Sequence, residues 1–369
     1  MIPSFAMRRK LHDGRSDALE PVVPIDPEEI SSFSDLLEAM GRASFGGRRL
    51  GEAFEVMKEM LGDSDCYVVA TVSGAMTIAK MGKILCRMIE RGMVQAMVAT
   101  GALMAHGFSE SIGRTHFKFD PRMSDAELFA KGYNRVYDTL EPESNLNAVE
   151  RVVSATLRRV PEGMELSSEF ITRELGRTLA EEQPGDGILK SAYLKGVPVY
   201  VPAFTDSEMG LDVSTWAMGQ GRPGRPGSSY EELTSSVPRF NPFLDLNSYA
   251  RHVMRARTLG IFTIGGGVPR NWAQQVGPYV DITNARLGTD FTPPRFKYGV
   301  RICPEPDYWG GLSGCTYAEG VSWGKFVPRE EGGRFAEVLS DATLVWPLLF
   351  QGLLEVFPRE RTVNGGGSG

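Results

Sequence analysis

Cys66-Tyr-Val-Val-Ala-Thr-Val72 is an unbroken apolar, β-branched run, the pattern of a strand buried on both faces. Upstream, Leu50, Phe54, Met57 and Leu61 recur at helical spacing. Downstream, Ile78, Met81, Ile84, Leu85, Met88 and Ile89 share one side of the stretch from Ala75 to Gly92, which predicts a single long helix stopped by Gly92. Met93 to Thr100 reads as the next strand. The same periodicities predict helices over 145–158, 167–182, 246–259 and 343–356, and strands over 197–202, 260–264 and 279–282. Strands alternating with helices imply an α/β fold: a mainly parallel sheet covered by helices on both faces. Residues 1–30, polar and spotted with Pro21, Pro24 and Pro27, read as an N-terminal arm. Residues 31–360 read as a single domain. Residues 361–369, closing in Gly365-Gly-Gly-Ser-Gly369, read as a flexible tail or linker scar. The stretch from Gly219 to Pro242, rich in Gly, Pro, Ser and Arg, reads as a long surface loop.

Composition narrows the partners. A net charge of −6 over 369 residues provides no positive field for nucleic acid and suits a cationic substrate. The cysteines Cys66, Cys86, Cys303 and Cys315 form no CxxC pair, and the histidines His12, His106, His116 and His252 show no metal-ligand spacing, so no metal is expected. Cys66 and Cys86, in apolar runs, read as core residues. No apolar run is long enough to span a membrane. Arg8, Arg9 and Lys10 lack the apolar stretch of a secretory signal behind them, so the expected compartment is the cytoplasm.

Ligands of open parallel sheets bind beyond the carboxyl ends of the strands. Those ends carry small and polar residues here: Ser73-Gly74-Ala75-Met76, Thr100-Gly101-Ala102, Thr205-Asp206, Gly265-Gly266-Gly267 and Asp341-Ala342. Each alone reads as a tight strand-to-helix turn. Together they offer close backbone approach and helix N-termini, the needs of a dinucleotide. No predicted strand is followed by the GxGxxG fingerprint, which excludes the ordinary dehydrogenase arrangement. Lys325 lies between Trp323 and Phe326. Such a lysine either lays its stem on the aromatic ring at the surface or, if buried, loses hydration and becomes a nucleophilic amine suited to imine chemistry.

From about residue 40 to 357 the chain resembles deoxyhypusine synthase and its relatives. The most specific segments are Glu319-Gly-Val-Ser-Trp-Gly-Lys325, Ser340-Asp-Ala-Thr-Leu-Val-Trp-Pro-Leu348 and Ile264-Gly-Gly-Gly-Val268. Pro202-Ala-Phe-Thr-Asp206, Thr100-Gly-Ala102 and Tyr133-Asn-Arg-Val-Tyr-Asp138 support them. The resemblance implies a Rossmann-like NAD-binding fold and a homotetramer with active sites between subunits. It implies NAD-dependent oxidation of spermidine, attack of the active-site lysine on the imine, loss of 1,3-diaminopropane, and transfer of the aminobutyl group to an acceptor amine. Deoxyhypusine synthases use a protein lysine as acceptor; the related homospermidine synthases use putrescine.

By motif, Lys325 is the implied nucleophile, Trp323 lines the amine channel and Glu319 holds an ammonium group. Ser73, Gly74, Met76, Thr100, Gly101, Ala102, Asp206, Gly266, Gly267, Thr283, Asn284, Asp341 and Ala342 fall to the cofactor. Glu319 as a plain ion pair is the alternative reading of the residue itself. The amine shell departs from the eukaryotic protein-modifying enzymes: Asn271 replaces a histidine and is no base, Leu312 replaces an aspartate, and His106 replaces a glutamate. A second amine-binding aspartate is displaced, leaving Glu208 or Asp212 to serve. The lysine and cofactor frame are kept while the amine shell is altered, which favours a small diamine acceptor over a protein lysine. A catalytically silent paralogue that binds NAD or a partner is the alternative of another class.

Overall fold

The computed structural model describes residues 12–221 and 228–358. The tail 361–369, the start of the N-terminal arm and part of the expected loop 219–242 lie outside the described residues. Among the described residues nine strands occur in chain order: β1 (Cys66–Val72), β2 (Ala96–Ala99), β3 (Phe117–Lys118), β4 (Tyr133–Val136), β5 (Thr139–Pro142), β6 (Val199–Tyr200), β7 (Thr258–Ile264), β8 (Tyr298–Ile302) and β9 (Arg334–Val338). Six of them form one sheet in the order β6-β2-β1-β7-β8-β9, with every neighbouring pair parallel. The chain therefore runs outward from β1 to β6, returns, and runs outward again from β7 to β9. The reversal between β1 and β7 is a topological switch point, where the carboxyl ends of two strands leave a crevice.

Side-chain alternation explains why both faces are covered. Val68, Ala70 and Val72 pack with Met97, Ala99, Phe262 and Ile264 in one core cluster. Val69 points the other way, with Ala96, Val98 and Ile261. A strand whose successive residues are all buried must lie between two helical layers. Inside the sheet, Thr71 and Thr263 stand opposite each other and share a hydrogen bond of 2.8 Å.

The expected strands 66–72, 93–100, 197–202 and 260–264 correspond to β1, β2, β6 and β7, and the expected helices 145–158, 167–182 and 343–356 to Glu143–Leu157, Ser168–Glu182 and Ala342–Val356. Four expectations are corrected. The long helix from Ala75 to Gly92 is broken: Lys80 takes a left-handed φ of 64°, with its amine drawn to Glu110 and His116, and the helix begins only at Gly82. Residues 279–282 are helical, within Val276–Leu287. Val276 and Val280 there bury at helical spacing, and the Thr283 hydroxyl donates to the Tyr279 carbonyl one turn back at 2.7 Å. The helix expected over 246–259 is Pro242–Val253, because β7 already begins at Thr258. Part of the expected loop is also helical: residues 219–221 end the helix Glu208–Gly221, and Tyr230–Thr234 forms a short helix of its own. Beyond these, β8, β9 and a small antiparallel sheet, β3-β5-β4, are additions to the predicted set. No helix among the described residues is long and apolar enough to cross a membrane.

Candidate active site

The loops that leave β1, β2 and β7 meet in one rim. The Ser73 hydroxyl donates to the Gly266 carbonyl. Thr100 donates its hydroxyl to the Gly74 carbonyl at 2.8 Å and caps the helix Gly101–Ser111 by accepting from Leu103 N–H. Gly74 and Gly265 hold φ values of +70° and +76°, which side chains with a Cβ disfavour. A Cβ on Gly266 would lie 2.5 Å from the Ser313 Cα, and one on Gly101 would collide with Ser207. Three helices start beside this edge, at Gly101, Gly267 and Ala342, each with N–H groups that favour an anion. Asp341 caps the last, accepting from Thr343 N–H at 2.8 Å. Asp206 is exposed just before the helix Glu208–Gly221, while Met76 and Ala102 are half-buried behind Ser73 and Thr100. The structure thus gathers the predicted small residues at strand ends. Thr283 and Asn284 are not among them. Expected after a strand, they stand on the helix Val276–Leu287, and Asn284 spends its amide on the 289–291 turn, bonding Thr289 and Phe291.

Lys325 owes its place to two glycines and an aromatic cluster. Gly324, with φ of 68°, ends the helix Tyr317–Ser322. A Cβ on Gly320 would lie 2.5 Å from the Phe326 ring, so that ring packs directly on the helix backbone. Phe326 sits among Phe296, Tyr317 and Phe335. Lys325 itself is 7% exposed. Its Nζ donates to Asn271 Oδ1 at 3.0 Å and lies 5.7 Å from the centre of the Trp323 ring. Burial pushes its pKa below the ordinary lysine value. Trp323 is 63% exposed, and Glu319 is exposed on the first turn of its helix.

Glu208 and Asp212 lie one turn apart on the helix Glu208–Gly221. Burial, then repulsion from Glu150 and Glu208, raises the Asp212 pKa to about 7. Both candidates for the displaced carboxylate therefore belong to one cluster. His106 is buried on the helix Gly101–Ser111, and its Nδ1 engages Glu141 of β5. Ser109 donates to the other Glu141 oxygen at 2.7 Å, and His116 Nε2 lies 3.2 Å from it. His106, His116 and Glu141 are all buried, with ligand atoms within 4.8 Å of one another. Burial alone would raise the Glu141 pKa, but hydrogen bonds from His106, His116 and Ser109 hold it at about 2.

Sequence reasoning overlooked two further groups. Arg270 is 2% exposed beside Asn271, and Arg301 pairs with Glu337 across β8 and β9. A charged residue inside an otherwise apolar strand was the available signal for the second pair.

A sequence model of the deoxyhypusine synthase family, described as "Deoxyhypusine synthase", matches residues 35–353. The chain belongs to the deoxyhypusine synthase family. Among deoxyhypusine synthase relatives, "Probable deoxyhypusine synthase 2" of Methanosarcina acetivorans is 31% identical over 338 residues, 91% of this chain and 90% of that protein. "Probable deoxyhypusine synthase 2" of Archaeoglobus fulgidus is 30% identical over 317 residues, 86% and 96% of the two chains. The "Deoxyhypusine synthase-like protein" of Elusimicrobium minutum is 30% identical, covering 93% of this chain and 86% of that one. The fold matches a crystal structure of "a putative deoxyhypusine synthase" from Entamoeba histolytica with a TM-score of 0.58 at 12% identity, over 93% of this chain and all of that one. Deoxyhypusine synthases as a family are NAD-dependent aminobutyl transferases.

Proposed function

We propose that this protein is an NAD-dependent aminobutyl transferase that acts on a polyamine such as spermidine through an imine on Lys325, with a small diamine as acceptor. The observation that carries this reading is Lys325 itself: buried, with a lowered pKa and an uncharged hydrogen-bond partner in Asn271. One N–H donated to an amide oxygen leaves the nitrogen lone pair free once the ammonium proton is lost. Asn271 orients that nitrogen and takes no proton.

The rim fits a dinucleotide, because Gly74 leaves open space for close backbone approach and the helix starts at Gly101 and Gly267 favour phosphate. Bound there, NAD would supply the acceptor and later the donor of hydride. Ser73, Thr100, Asp206 and Asp341 would hold it. The carboxylates of Glu208 and Asp212 would take the ammonium ends of the polyamine, and Trp323 would cover its methylenes. The exposed Trp323, with Tyr308, Trp309 and Leu312 exposed on the preceding loop, fits a site completed by a second subunit, as in a homotetramer of cytoplasmic proteins. The names of the relatives favour a second reading of the acceptor, a protein lysine.

The test is mass spectrometry of purified protein with NAD, spermidine and putrescine, beside Lys325→Arg. Homospermidine and 1,3-diaminopropane, both absent in the variant, are expected. Diaminopropane without homospermidine would keep the lysine chemistry and discard the small acceptor. Neither product from folded, NAD-binding protein would discard the spermidine reading and leave a silent binder.

A further inference from the structure

The guanidinium groups of Arg270 and Arg301 converge on the Cys315 carbonyl, and the nearby carboxylate, Glu337, pairs with only one of them. Arg301 pairs through Nη2 with Glu337 and donates Nη1 to the Ser313 and Cys315 carbonyls. The other Glu337 oxygen accepts from Tyr317 N–H at 2.9 Å. Arg270 donates Nη1 to the same Cys315 carbonyl at 2.6 Å. Its Nε and Nη2 are buried without a hydrogen-bond partner. Its guanidinium lies 5.2 Å from the centre of the Tyr317 ring, whose face offers partial compensation only.

Arg270 is the residue before Asn271, which holds the Lys325 amine at 3.0 Å. The charged and titratable groups that act on Lys325 are Arg270, Cys315 and Glu319. Glu319 is exposed, so water screens its attraction. Burial, then a hydrogen bond to Glu319, raises the Cys315 pKa, which keeps that thiol neutral. That leaves Arg270, buried and next in the chain to the residue that holds the lysine, as the fixed charge acting on it.

We propose that Arg270 is a positioning residue whose unneutralised buried charge keeps the Lys325 amine in its uncharged, nucleophilic form. The inference rests on Lys325 as the nucleophile of the proposed reaction, and on no particular donor or acceptor. Two cations walled off from water repel strongly, and the one that can shed its proton at lower cost is the ammonium. Burial lowers the Arg270 pKa as well, but from a starting point above that of any lysine. Burial is the largest cause of the lowered Lys325 pKa; Arg270 acts in the same sense, and Cys315 and Glu319 act against it.

The test reads the amine directly. The full chain is acetylated with acetic anhydride across a pH series, and each lysine is followed by peptide mass spectrometry, with exposed Lys131 as the internal reference. Wild-type Lys325 should reach half-maximal reactivity at lower pH than Lys131. In Arg270→Met that midpoint should rise by about one pH unit, roughly a tenfold loss of reactive amine near neutrality. Arg270→Gln, which keeps a donor for the Cys315 carbonyl, should do the same and serves if the Met variant does not fold. A Lys325 midpoint unmoved in a folded variant overturns the proposal. So does a variant that lowers the melting temperature while leaving the midpoint in place, the mark of a purely structural arginine. If Lys325 titrates low and responds to Arg270 but no imine is trapped, the transferase reading fails and this inference stands. If imine is trapped and the midpoint ignores Arg270, the reverse holds.

Discussion

Glu141 and Asp212 are both carboxylates withdrawn from water, yet they are driven in opposite directions. Glu141 is surrounded by donors, His106, Ser109 and His116, and is held ionised down to about pH 2. Asp212 is surrounded by its own kind, Glu150 and Glu208, and is held protonated up to about pH 7. Burial penalises the charge in both; the partners decide the outcome. The first cluster has spent its charge on the fold. The second keeps an unsatisfied demand for cations, and a polyamine would meet it.

Breaking the first cluster should have the larger effect. Glu141→Gln strips the anion from two imidazoles and should cost about 3–5 kcal/mol of stability, read as a lower midpoint in urea unfolding. The wild-type contribution of Glu141 has a defined window. Its folded pKa lies below its unfolded one, so the stabilisation is complete above about pH 4.5 and is lost as pH falls toward about 2. Acid-unfolding curves of wild type and Glu141→Gln should therefore converge across that interval.

Asp212→Asn should weaken spermidine binding by about 1.5–3 kcal/mol above pH 7, roughly tenfold to a hundredfold in Kd, measured by calorimetry. The sign for stability is opposite to that of Glu141. A raised folded pKa means that ionisation works against the fold as pH rises from the unfolded value through about 7. Asp212→Asn should accordingly raise the Tm at pH 8 and leave it unchanged near pH 3. A Tm that falls at pH 8 would mean that Asp212 already has a cationic partner. The smallest effect is expected for Ser109→Ala. It removes one donor from Glu141 for about 0.5–1.5 kcal/mol and should move the acid-unfolding midpoint to slightly higher pH.

Legibility in the sequence followed whether a residue's role was local. β1, β2 and β7 are apolar runs closed by glycine, serine or threonine, so both the strands and their rim could be read directly. β8 and β9 were passed over because Arg301 and Glu337 sit mid-strand and look like surface residues until they are seen facing each other. Tyr279 to Ile282 looked extended because Tyr279, Val280 and Ile282 are aromatic or β-branched, whereas its burial follows Val276 and Val280 at helical spacing. Cys66 and Cys86 are buried, as their apolar runs implied. His106, His116 and Glu141 are far apart along the chain, and only the small sheet brings Glu141 beneath the helix carrying His106. Arg270, in Val-Pro-Arg-Asn-Trp, has no local mark of burial at all.

The hydroxyls of Ser73 and Thr100 have a mechanical consequence. The first ties the β1 loop to the β7 loop, and the second ties the β2 loop back to the β1 loop. The three loops are thus stitched in series, and none can lift away without breaking a bond it shares with a neighbour. Amide hydrogen exchange at residues 73–74, 100–103 and 265–267 should slow together when any one loop is gripped, so that contact with a single loop stiffens the whole mouth of the crevice.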